Sequence, residues 1–225
     1  MNIKYGYKSY LATIKEMESE SKKEVWLGYY SMYKEVFDTI LDRLYMMPIE
    51  AILEIVENID FDSLAEKAEA GIGNSDLVRL EDILIKCIRY YPFDRSFDVY
   101  ILVGFGHIDG TALPSRLPFL YLGLERLKDR DIELLIQYEF NHMVRFHANS
   151  EFMTGTTLTV GQLVVAEGLA TLAPLAMKTE TLSEKAIAKS LFMESDEYEN
   201  LKSNFKEIEK SIIIDFDKEL SPRLM

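Results

Sequence analysis

Cysteine is almost missing from this chain: Cys87 stands alone, so no internal disulfide can form, and its neighbours Ile83, Leu84 and Ile88 mark it as a packed core thiol. Histidine is nearly as scarce, with only His107, His142 and His147. Lys and Arg number 25 against 38 Asp and Glu, leaving a net charge of −13. Without a basic cluster, that balance argues against nonspecific attachment to nucleic acid or to an anionic membrane surface. The amino terminus has no apolar run of signal-peptide length, and no later apolar run reaches ~18 residues. A soluble cytoplasmic protein with no membrane partner is therefore expected. Repeats, linkers and low-complexity tracts are also lacking. The glycine-rich stretch Gly104 to Gly110 has no following Gly-Lys-Ser/Thr and is not a phosphate loop. The acidic run Glu194 to Asn200 lacks the glycine and ligand spacing of a calcium loop, and reads as a solvated helix start.

What is present suffices for a substantial core. A 225-residue chain with 48% hydrophobic residues is most simply one domain, 1–225. Residues 1–95 read mainly as a helical layer, although Ile3, Tyr5 and Tyr7 alternate as in a short strand. Apolar residues recur at helical spacing from Val25 to Leu44; Pro48 suits the first turn of a helix reaching Val56. Another helix spans Phe61 to Ala70 and ends at Gly71-Ile72-Gly73; Asn74 or Ser75 caps the next, to Tyr91. The character changes at Phe97. Val99–Val103, Thr111–Pro114 and Phe119–Leu122 read as strands. Asp129 can cap a helix to about Phe146, and Thr154-Gly155-Thr156-Thr157 forms a turn with Thr157 as the following cap. Pro174 should bend or end that second helix. Residues 176–225 read as further helices, opening at Ser183 and Glu194 and closing with Phe205, Ile208, Ile212 and Ile213. The expected class is α+β, mostly helical.

The chemistry concentrates in Tyr138-Glu139-Phe140-Asn141-His142 and, 25 residues past His142, Glu167. Residues four apart stack on one helix face, so two histidines at that spacing can grip one zinc, with an intervening glutamate as general base. Here Glu139 and His142 hold two of those three places, and Tyr138 stands where the first imidazole would be. On a helical wheel Glu139 lies amid Ile132, Leu135, Ile136, Met143 and Phe146, with His142 at the border. Glu167 shares a face with Val160, Leu163, Val164 and Thr171. Buried acids need partners. A buried Glu–His or Glu139–Arg145 pair in an ordinary core would satisfy the same pattern.

The two segments together, with Arg145 and Glu167-Gly168-Leu169-Ala170, resemble the gluzincin-type predicted zinc-dependent proteases, whose pattern is His-Glu-Tyr-x-His-x-x-Arg followed by Glu-Gly-Leu-Ala. The resemblance covers about residues 96 to 175. It implies a zincin-like fold with the small sheet, an active-site helix and a glutamate helix in 96–175. It also implies Glu139 as general base, His142 and Glu167 as zinc ligands, and an edge strand near Val103 to Leu113 that holds peptide by strand addition. Tyr138 departs from the pattern at the first ligand. A phenol with a pKa near ~10 coordinates poorly at neutral pH, so zinc is expected to be weakly held or absent. Either Tyr138, His147 or His107 would complete the shell. His147, five residues past His142, is turned by about 140° on an unbroken helix. Two classes stay open: a zinc-dependent peptidase acting through metal-activated water, and a catalytically inactive relative binding a peptide or protein partner.

Overall fold

A computed structural model describes residues 1–18, 20–149, 158–178 and 183–220. The described chain is mostly helical, with one small mixed sheet. Its first strand, β1 (Asn2–Tyr5), pairs in parallel with β2 (Asp98–Leu102), so the amino terminus belongs to the sheet and not to the helical layer. Asp98 fixes that junction, accepting from Asn2 Nδ2 at 3.0 Å and from Lys4 Nζ at 2.7 Å. β2 pairs in parallel with β4 (Phe119–Gly123), and β3 (Gly110–Thr111) runs antiparallel along the outside of β4. The order is β1-β2-β4-β3, with β3 at one edge. All of β4 and most of β2 are buried, as strands covered on both faces require.

Helices pack around this sheet. α1 (Tyr7–Ile14) follows β1 directly, and the expected helix over 25–44 is broken. Ser21, in a capping box with Glu24, opens α2 (Lys22–Met32); Tyr33 interrupts at φ −127°, and α3 (Lys34–Ile40) continues into a π-helical turn, Leu41–Tyr45. The break lets Phe37 stack on Tyr30 with ring centroids 5.7 Å apart. The π turn ends at Met46 in the left-handed region, φ 49°. α4 (Ile49–Val56) starts just after Pro48 and α5 (Phe61–Ile72) ends at Gly73. Asn74 caps a short 3₁₀ turn that leads into α6 (Leu80–Tyr90). Cys87 is fully buried in α6, and burial pushes its thiol up to about 12.

Two central helices follow the sheet. α7 (Ile132–Ala148) is capped by Asp131, which accepts from Leu134 N–H at 2.9 Å; Asp129, the expected cap, lies too far upstream to reach those first-turn donors. Most of α7 is buried, as for a helix enclosed by the core. α8 (Val160–Lys178) packs against it. Pro174 does not end α8: the helix continues to Lys178, with Ala173, Pro174 and Leu175 all buried, so packing offsets the missing N–H bond. Length and composition alone make α8 sufficient to cross a membrane, at a mean hydropathy of 1.5, even though Gln162 and Glu167 interrupt its apolar run. Val164, expected beside Glu167, lies with Val165, Leu169 and Leu172 on the exposed side. The expected turn at Thr154–Thr157 and the Thr157 cap lie outside the described residues. α9 (Glu184–Ser190) is capped by Ser183, and α10 (Ser195–Asp215) opens on a capping box from Glu194. Phe205, Ile208 and Ile213 stay exposed on α10, which buries none of its residues.

The expected strand Thr111–Pro114 pairs only at Gly110–Thr111. The reason lies one residue on. Ala112 gives its N–H to the Glu139 carboxylate and not to a ladder, and Pro114 has no N–H to give. Glycine is required beside this strand at Gly123, where a Cβ would collide with the Ile108 carbonyl oxygen in the segment that delivers β3.

Candidate active-site cleft

A cleft of about 530 Å³ opens between β3 and the residues following it, the π turn, and the facing parts of α7 and α8. Tyr138, Glu139, His142 and Glu167 all line it. Helical spacing explains the first three: residues 138, 139 and 142 share the α7 surface turned towards β3 and α8. Glu167, one residue past the buried Ala166, looks across from α8.

Glu139 is 6% exposed and accepts the Ala112 N–H at 2.9 Å, a bond from the edge-strand segment to the central helix. Burial lifts its carboxyl from the ordinary 4.5 to about 7; nearby Glu167 adds to this, while His142 and the Ala112 N–H oppose it. His142 is also buried, stacked on Phe146 at 5.6 Å and meeting the Tyr138 ring edge-on at 4.9 Å. Its Nε2 lies 3.6 Å from Glu167 Oε2, and its Nδ1 is buried with no hydrogen-bond partner. The Tyr138 hydroxyl donates a short hydrogen bond to that same Glu167 oxygen. Burial and the Glu167 charge push the phenol well above its ordinary value. For Glu167, burial alone would raise the carboxyl, but His142 and the phenol outweigh it and hold it below the usual range. Phe192, at a left-handed φ of 56° just past α9, packs edge-on to the Tyr138 ring at 5.8 Å.

The other expected partners are elsewhere. His147 is buried in unbroken α7, edge-on to Phe93 at 6.2 Å, and lines no part of the cleft. Burial, with Arg95 nearby, lowers it to about 4. His107 is exposed and also outside the cleft. Neither supplies a third donor. Glu139 hydrogen-bonds to Ala112 and not to Arg145, whose Nε is buried without a partner.

These donors can be tested against a catalytic zinc, which takes three protein ligands and leaves a fourth position open. His142 Nε2 and Glu167 Oε2 are close enough to share one ion, but the Glu167 oxygen is occupied by the phenol's proton. Tyr138 is held in its neutral form, a poor ligand. A zinc-bound histidine ordinarily donates through its other ring nitrogen, and His142 Nδ1 has nothing to donate to. Among the described residues no group of three or more His, Cys, Asp or Glu is placed to hold a metal ion. The described residues do not fit a resident catalytic zinc.

Sequence reasoning missed the opposite wall. Asp42, Arg43, Leu44 and Met46, from the π turn and its left-handed end, form that wall. Their apolar neighbours follow ordinary helical spacing, and a π turn has no composition signature. Phe192 was missed likewise, since only its contact with Tyr138 gives it a place in the site.

No curated protein and no solved structure matches this chain. A family profile described as "Predicted Zn-dependent protease (DUF2268)" matches residues 73–210, well over half of the chain and wider than the motif region alone. By that match, the chain belongs to this family of predicted Zn-dependent proteases.

Proposed function

We propose that this protein is a metallopeptidase-derived peptide-binding protein, whose cleft takes an extended peptide or protein segment beside β3 and holds zinc weakly or not at all. The observation that carries this reading is the Tyr138–Glu167 hydrogen bond. It stands at the first-ligand position of the family pattern and engages the Glu167 oxygen nearest His142. The cleft is otherwise suited to a peptide. β3 pairs with β4 on one side only, and the cleft is lined by Leu113, Leu163 and Phe146 as well as by hydrogen-bonding groups. Its place is the cytoplasm, in keeping with the acidic charge and the reduced single cysteine.

A specific observation favours a second reading, residual peptide hydrolysis. Glu139, at about 7, is matched to taking a proton from an attacking water near neutral pH, and it lies with His142 and Glu167 in one cleft. One experiment separates the two. An unstructured casein-like chain is incubated with the protein in a chelator and, separately, in added zinc. Binding in chelator without cleavage in either condition is expected. Zinc-dependent cleavage abolished by Glu139→Gln would establish the peptidase instead. Absence of binding in both would dismiss the peptide cleft.

A further inference from the structure

The geometry points to Arg43 as the group that selects a carboxylate-bearing peptide, an inference resting on the peptide-cleft reading above. Among the described residues, Arg43 is the only Lys or Arg lining the cleft, in a protein whose acids outnumber its bases 38 to 25. Its side chain is 33% exposed, enough to meet a ligand. It sits within the π turn Leu41–Tyr45, an irregularity found mostly as a single turn and frequently at functional sites. Its ion pair among the described residues joins Nε to the adjacent Asp42 at 3.3 Å, and the Asp42 side chain is 75% exposed. Such an exposed pair holds little energy, and it engages Nε, leaving the two terminal amino groups of the planar fork for a carboxylate.

Electrostatics give the direction. Glu139 and Glu167 line the α7–α8 side of the cleft, whereas Arg43 lies on the π-turn wall beside its own acidic partner Asp42, which is 75% exposed. An anionic ligand group would be repelled by the Glu167 carboxylate across the cleft and drawn to Arg43, so a bound segment is oriented with its carboxylate towards the π turn. That carboxylate is either a peptide's C-terminus or an Asp or Glu side chain.

The test uses fluorescence anisotropy with three labelled eight-residue peptides of one Ala/Ser/Leu sequence. The first has a free C-terminus, the second is amidated, and the third is amidated with one internal Glu. The protein should bind at least one carboxylate-bearing peptide tenfold or more tightly than the neutral one. Preference for the first alone identifies the C-terminus, and preference for the third alone a side chain. Arg43→Gln should reduce both to the neutral peptide's affinity without changing that affinity. Asp42→Asn, which leaves Arg43 in place and frees its Nε, should strengthen carboxylate binding severalfold, and it decides the matter if Arg43→Gln fails to fold. Equal binding of all three peptides, a preference surviving Arg43→Gln, or no gain in Asp42→Asn would overturn the role of Arg43 while leaving the peptide cleft standing. Failure to bind any peptide would overturn both.

Discussion

Tyr138 and Glu167 face each other across α7 and α8, the phenol donating to the carboxylate oxygen that also lies 3.6 Å from His142 Nε2. A hydroxyl thus neutralises part of the demand that a cation would otherwise meet. The consequences can be measured one at a time.

Tyr138→His should convert the site towards metal binding. Imidazole is neutral and ready to coordinate at pH 7, whereas the phenol must first lose a proton held tightly by burial. The smaller ring costs packing, about 1–3 kcal/mol at a buried position. Zinc at a hundredfold excess over its dissociation constant returns about 2.7 kcal/mol. For a chain of this length that is a rise of roughly 5–10 °C in Tm. The comparison is Tm with and without zinc for both proteins; a zinc response in the mutant alone is expected.

Tyr138→Phe removes the donor and keeps the ring. Glu167 then loses one of the groups holding its carboxyl down, so its pKa should move up. Since the Glu167 side chain is 44% exposed, water replaces much of the bond, and the stability loss should be only about 1 kcal/mol. Carboxyl titration by NMR and denaturant unfolding check the two parts.

Glu139 sets a pH dependence of definite sign. Its folded value, about 7, exceeds the ordinary 4.5, so the folded state keeps a proton that the unfolded state releases. Stability from this group is complete below about pH 4.5 and is lost as pH rises through 7, by about 3 kcal/mol. Glu139→Gln removes the titration and can still accept the Ala112 N–H. It should be more stable than the parent at pH 8, and that advantage should have disappeared by pH 5. Denaturant midpoints at the two pH values test this; a mutant advantage that grows towards pH 5 would reverse the assignment.

Much of this site was legible beforehand. The 3.6-residue period put Glu139 and His142 on the inner face of α7, and Glu167 arrived opposite them on α8 as the spacing implied. What escaped depended on tertiary partners. Ala112's N–H leaves the strand ladder only because Glu139 is beneath it, so β3 is shorter than its composition suggested. Pro174 stays within α8 because its surroundings are packed on that face. The Tyr33 break and the π turn hide inside an unbroken helical pattern, and Arg43 went unseen with them. β1 was legible only as an ambiguous alternation, because its partner, β2, lies nearly a hundred residues away.

Gly123 tests how far the cleft depends on its edge strand. Gly123→Ala would drive a methyl group into the Ile108 carbonyl, a backbone atom that must shift and carry β3 with it. A loss of about 1–3 kcal/mol is expected. Peptide affinity should fall while zinc response stays as in the parent, which anisotropy and Tm can separate.

The most direct measurement is calorimetric titration of zinc into the full chain, purified without metal-affinity steps. Two secure donors and a phenol that keeps its proton predict a dissociation constant far weaker than nanomolar, and metal analysis of the protein as isolated should find much less than one zinc per chain. A stoichiometric zinc that resists chelator would contradict the account, since it would require Glu167 to release Tyr138 and the cleft to supply a third ligand.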